Sequence, residues 1–125
     1  MKRSSYTPGV CNIGPAEIAR RRGVGWFGLV LTIMLLAALL GMEVEPWYRL
    51  IIFFPAFLSA TGFLQAYFHF CVGFARRGLY NFGQTGNVKT VESAASQRRD
   101  RLYANKITLY AAAVALVVAG ASLLL

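Results

Sequence analysis

Three long runs without a charged residue divide the chain: 24–42, 50–75 and 107–125, of 19, 26 and 19 residues. A helix needs roughly 20 predominantly apolar residues to cross the hydrocarbon core of a bilayer, so each run predicts a transmembrane helix. Strands of a membrane barrel would instead alternate apolar and polar residues over segments of about 10, and no such alternation is present. The expected class is all-α, a single membrane domain built as a bundle of three transmembrane helices. The polar stretches 1–23, 43–49 and 76–106 supply an N-terminal segment, a short turn between the first two spans and a longer loop before the third. The first run is no cleavable signal peptide by pattern: it starts late, exceeds an h-region and lacks an A-x-A-like site behind it.

Finer features follow from Pro, Gly and the apolar spacing. Pro46 suits the first turn of the second span. At 1.5 Å per residue that span of 26 residues reaches roughly 39 Å, longer than the core it crosses, so it must tilt or bend. Pro55 removes a helix donor and is the expected kink. Pro15 and Glu17 favour a short juxtamembrane helix ending on Arg20, Arg21 and Arg22. Val88, Val91, Ala95 and Leu102 predict a helix over 88–105 that runs into the third span. Residues 1–10 are expected to be disordered.

Composition sharpens the class. Hydrophobic residues make up 57% and charged residues 14% of 125, yet the net charge is +8 and the mean hydropathy +0.52. A soluble domain of this size needs more polar surface. Two cysteines exclude a disulfide-rich secreted scaffold, and the apolar content excludes a disordered chain. The charge is also sorted. Twelve of the thirteen basic residues fall in 1–23 and 76–106, with three acids, whereas 43–49 holds Arg49 with Glu43 and Glu45. Basic residues accumulate on the cytoplasmic side. The expected topology is therefore N-in and C-out. Trp26, Trp47 and Tyr48 fit an interfacial aromatic belt.

Small residues mark the faces by which membrane helices approach one another. The second span carries Ser59, Gly62, Ala66, His69 and Gly73, the third carries Thr108, Ala112, Ala115, Ala119 and Ser122, and the first offers Gly25, Gly28 and Thr32, then Ala37 and Gly41. These are the expected seams of the bundle or of contacts with another chain.

Candidate chemistry is sparse. Gly23-Val-Gly25-Trp-Phe-Gly28 matches G-x-G-x-x-G, but an arginine run precedes it where a dinucleotide site needs a strand. His69 is the single histidine, four residues beyond Gln65 and eight beyond Thr61, and could line a polar track. Cys11 and Cys71 both fall near the inner membrane boundary. They are the candidate ligands for a soft metal ion, or the candidate nucleophiles for a sulfur compound. His69 is a further candidate, but it lies about 200° around the second span from Cys71, so the two cannot face one ion. No cofactor signature, hydrolase triad or zinc motif is present. Arg20, Arg21, Arg22, Arg76, Arg77, Arg98, Arg99 and Arg101 are expected to meet anionic headgroups rather than nucleic acid.

Cys11-Asn12-Ile13-Gly14, then Glu17 and Arg20, an apolar hairpin, and Phe70-Cys71 followed by Gly78 resemble a family of small bacterial inner-membrane proteins of unknown function, some fused to rhodanese domains. The matching positions are Asn12, Gly14, Glu17, Arg20 and Cys71, over about residues 11–78. The chain departs from the pattern at Ile18, where the family has Arg, and at Val72, where it has Pro; the third span is also extra. The resemblance implies a two-helix hairpin that packs as a dimer, and it favours sulfur handling.

The expected function is non-enzymatic: a scaffold or accessory subunit bound to other membrane subunits or to copies of itself. The alternatives are relay or transport of a thiol-reactive species through Cys11 and Cys71, and an organiser of anionic lipids.

Overall fold

The computed structural model describes residues 6–84 and 86–125. It is mostly helical, and three of its helices are long and apolar enough to cross a membrane. Helix α1 spans Pro15–Met42, α2 Phe53–Phe68, α3 Val72–Arg77 and α4 Ala94–Ser122; a 3-10 segment, Pro46–Ile52, leads into α2. Two short strands, β1 (Leu79–Tyr80) and β2 (Lys89–Thr90), pair antiparallel between α3 and α4, with Leu79 opposite Thr90.

The first span and the stretch before it form one helix. Pro15 occupies its first turn with Glu17 beside it. Gly23 continues it, because nothing between Arg22 and Val24 removes a hydrogen bond. The separate juxtamembrane helix expected from the sequence is therefore the opening turns of α1.

The second span is Pro46–Phe68, 23 residues, rather than 50–75. Pro55 lies in the first turn of α2, where the missing N–H costs little, and the change of helix type comes just before it. The sharper break is His69, whose left-handed backbone (φ 56°) caps α2. Gln65 compensates the break: its carbonyl accepts from Phe70 N–H, and its Oε1 accepts from Val72 N–H at 2.8 Å. Cys71 then caps α3, its sulfur accepting from Phe74 N–H. Gly73 consequently sits on the exposed side of α3, where an added Cβ would meet nothing nearer than 3.9 Å; it is not a packing residue.

Helix α2 is central, flanked by α1 and α4, which make little approach to each other. The α1–α2 seam is Gly25, Gly28, Ser59 and Gly62. A Cβ on Gly28 would lie 2.6 Å from Ser59 N, and one on Gly62 would lie 2.5 Å from Gly25 N. Ser59 Oγ donates to Gly25 O at 2.8 Å across this contact. Ala37 and Gly41 are exposed instead, since Ala37 lies five residues, about 140°, beyond Thr32.

On α4 the buried row is Ala104, Ile107, Ala111, Ala115, Ala119 and Ser122. Ala115, Ala119 and Ser122 were expected there. Ala112 is only half-buried, and Ala111 takes its place. A straight helix repeats closer to 3.6 than to the 3.5 of the expected stripe, so the seam drifts by one residue toward the N-terminus.

The loop is less helical than its apolar spacing suggested. Val91 is buried beside β2, Leu102 is exposed, and α4 starts at Ala94 with Ser93 Oγ accepting from Ser96 N–H at 3.3 Å. Helix α4 does run unbroken through the third span. Of the expected disordered start, residues 1–5 lie outside the described residues, and residues 6–9 are half-buried against the bundle while Val10 is exposed. Tyr6 stacks on Tyr80 with ring centroids 4.7 Å apart, and Thr7 bridges to Cys11.

Candidate functional site at the basic end of the bundle

The N-terminal segment, the α2–α3 break, the loop after α3 and the first turns of α4 meet at one end of the bundle. The Glu43–Arg49 turn and the C-terminal end of α4 form the other end, where Arg49 Nη1 donates to Ser122 O and Leu125 O. The apolar helices force this arrangement: polar backbone that cannot pair within a helix collects at an end and must find partners there.

Asn12 supplies many of them. Its Oδ1 accepts from Cys71 N–H at 2.6 Å, and its Nδ2 donates to Cys71 O at 3.0 Å. Its own N–H donates to His69 O and its carbonyl accepts from Asn81 N–H. Residues 12–14 therefore lie as an extended strip between the α2–α3 break and Asn81, and Ile13 pairs parallel with Asn81. Gly14 is required by this approach, since a Cβ there would sit 2.9 Å from Phe82 Cα.

A buried ion pair completes the latch. Glu17 is 1% exposed. Its Oε1 accepts from Arg21 Nη1, and its Oε2 accepts from Asn81 Nδ2 at 2.9 Å. Arg21 Nη2 reaches Cys71 Sγ at 2.8 Å, and its guanidinium lies over the Phe74 ring, 5.1 Å from the centroid. Asn81 Nδ2 also donates to Gln84 O, and its Oδ1 accepts from Gly83 N–H. On the α4 side, buried Asp100 accepts from Tyr6 Oη at 2.6 Å and from Gly9 N–H at 2.7 Å. Burial, reinforced by this carboxylate, raises the Tyr6 phenol pKa well above its ordinary value.

Cys71 also lines a pocket of about 290 Å³ with Arg20, Arg21, Arg77, Gln65 and Gly73. Arg77 Nε donates to Gly73 O, and its guanidinium faces the same Phe74 ring at 5.8 Å. Arg20 is largely exposed, 3.9 Å from Glu17 Oε1. The remaining candidates are dispersed. Cys11 is buried in the N-terminal strip and does not line this pocket. His69 serves through its backbone as a helix cap. Gln65 Nε2 donates to Thr61 O within α2, so of the expected polar track it is the Gln65 side chain, through Oε1, that serves the α2–α3 break. Arg22 lines a separate groove with Trp26 and Tyr67, Arg76 donates to Thr108 Oγ1, and Arg98, Arg99 and Arg101 are exposed on α4. Among the described residues no three His, Cys, Asp or Glu side chains gather as a metal site.

Of the positions carried by the family resemblance, Asn12, Gly14, Glu17 and Cys71 all fall in the latch. Arg21 makes the close pair with Glu17, while Arg20 stands 3.9 Å from the same Oε1. Asn81, Asp100 and Tyr6 were not anticipated. The signal available for Asp100 was its being the lone aspartate of the chain, set in a basic loop. Comparison with protein-family models, with curated proteins and with solved structures finds no match.

Proposed function

We propose that this chain is a non-enzymatic, multi-pass scaffold or accessory subunit of a bacterial inner membrane, N-in and C-out, that packs against other membrane helices or a second copy of itself. One observation carries the reading. Because α1 and α4 flank α2 without closing on each other, a groove of about 330 Å³ stays open over α2, lined by Leu29, Thr32, Ala60, Phe63, Val114 and Val118 among others. Small residues at its floor admit a close backbone approach, the usual basis of helix association in lipid. The orientation rests on the ten basic residues described at the latch end, against Arg49 alone at the other.

Cross-linking in the native membrane tests the partner. Val118→Cys, at the groove, should give a disulfide-linked dimer or a defined heteromeric adduct. Monomer alone, with exposed Leu109→Cys behaving the same, would remove the reading.

The contact between Arg21 and Cys71 favours a second reading, handling of a small thiol-reactive species. It rests on Cys71 as the pocket-lining thiol, with Cys11 outside the pocket. Cys71→Ser should then abolish labelling or uptake of that species while Cys11→Ser leaves it intact. Equal behaviour of the two variants would count against it.

A further inference from the structure

The pocket beside Cys71 gathers three guanidinium groups, Arg20 and Arg21 from α1 and Arg77 from α3. One carboxylate lies near them. Glu17 is already engaged by Arg21 and by Asn81 Nδ2, and it approaches Arg20 only at 3.9 Å. Among the described residues Arg77 has no carboxylate within ion-pair distance; its Nε is held by Gly73 O and its plane by Phe74. The site therefore carries a surplus of positive charge in a concave setting.

The local architecture holds two of these charges in place. Arg21 is fixed from two sides, by Glu17 and by Cys71 Sγ. Arg77 follows the α2–α3 break that Asn12 and Gln65 set. The His69 break turns α3 off the line of α2, which brings Arg77 to the same pocket as Arg20 and Arg21. A straight second span would have carried Arg77 further along its own axis. Guanidinium forks match the oxygens of tetrahedral oxyanions, and several forks on one anion favour a doubly charged, many-oxygen group over a single carboxylate.

We propose that the Arg20–Arg21–Arg77 pocket binds a phosphate-type oxyanion. The group is either the phosphate of an anionic lipid headgroup or free inorganic phosphate. This narrows the eight arginines expected to meet anionic headgroups to three at a formed pocket, and it does not depend on what fills the apolar groove.

The test uses the full chain. In a zwitterionic detergent, calorimetric titration with inorganic phosphate measures the free-anion arm. In nanodiscs of phosphatidylcholine with or without phosphatidic acid, native mass spectrometry of retained lipid measures the headgroup arm. Saturable binding in at least one arm is expected, and the arm that binds identifies the source. Arg20→Gln with Arg77→Gln should weaken that binding at least tenfold, while Arg98→Gln with Arg101→Gln leaves it unchanged. Arg21 is kept intact because it pairs with buried Glu17. Binding in neither arm would overturn the proposal. So would binding that survives the pocket variant, or that falls equally in the α4 variant, since either outcome assigns it to general surface charge. Arg77→Lys, which keeps the charge but loses the fork, should fold as the parent does and bind at an intermediate level. Parent-like binding in Arg77→Lys would also count against a fork-directed site.

Discussion

The Asn12 carboxamide pairs with both main-chain groups of Cys71, accepting from its N–H at 2.6 Å and donating to its carbonyl at 3.0 Å. A side chain thus stands in for the missing strand partner at the point where the second apolar run stops being a helix. Asn12→Leu would leave the buried Cys71 N–H without a partner, at about 1–3 kcal/mol, and would take one of two donors from the Cys71 carbonyl, which still accepts from Ala75 N–H. Asn12→Asp would lose one of the two bonds and place a carboxylate oxygen against the Cys71 carbonyl. Both variants should unfold earlier in a detergent thermal melt, with Asn12→Leu showing faster proteolysis around residues 69–72.

Removing one member of a buried ion pair strands the other. Arg21→Ala should therefore cost about 3–5 kcal/mol by leaving Glu17 charged and buried. Glu17→Gln, which keeps an acceptor for Arg21 and loses the charge, should cost less. A double-mutant cycle on Glu17→Gln and Arg21→Gln, read by unfolding in mixed micelles, should show a favourable coupling between the two sites. Strictly additive losses would mean that the pair contributes nothing specific.

Glycines that look alike in sequence should respond oppositely. Gly28→Ala places a methyl 2.6 Å from Ser59 N and must push α1 from α2, whereas Gly73→Ala meets nothing nearer than 3.9 Å. The first should lower stability by about 1–3 kcal/mol, as overpacking of tight contacts does. The second should be neutral within about 0.5 kcal/mol. The melting temperatures of the two variants against the parent decide this.

Alkaline pH should loosen the N-terminal segment. The folded-state pKa of Tyr6 lies above the unfolded value near 10, because of burial first and then Asp100. Its contribution is therefore complete below pH 10 and is lost as pH rises through the folded value. Hydrogen exchange of residues 6–10 should accelerate above pH 10 in the parent. In Tyr6→Phe the exchange should be faster already at neutral pH and lose that step.

The three apolar runs were legible because length and absence of charge are direct physical requirements of a bilayer. The break at His69 was not. Residues 50–75 carry no charge and no helix-ending signal at His69, and the αL backbone at His69 is stabilised by Gln65 and Asn12, the latter 57 positions earlier in the chain. The α4 seam was legible to within one residue, Ala111 for Ala112, since 3.5 and 3.6 spacings diverge over four turns. In the site, Asn12, Gly14, Glu17 and Cys71 were visible as a pattern. Asn81 and Asp100 gave no periodic or motif signal, because each serves a partner more than 60 residues away, Asp100 with Tyr6 and Asn81 with Glu17.

The proposed orientation of the chain is a statement about which side of the membrane the latch and its pocket face. In a Cys11→Ser/Cys71→Ser background, a single cysteine introduced by Glu45→Cys or by Asn87→Cys can be probed in intact cells with an impermeant thiol reagent. The account predicts labelling of Glu45→Cys in intact cells, and of Asn87→Cys only after permeabilisation. Labelling of Asn87→Cys alone in intact cells, or of both positions, would contradict it.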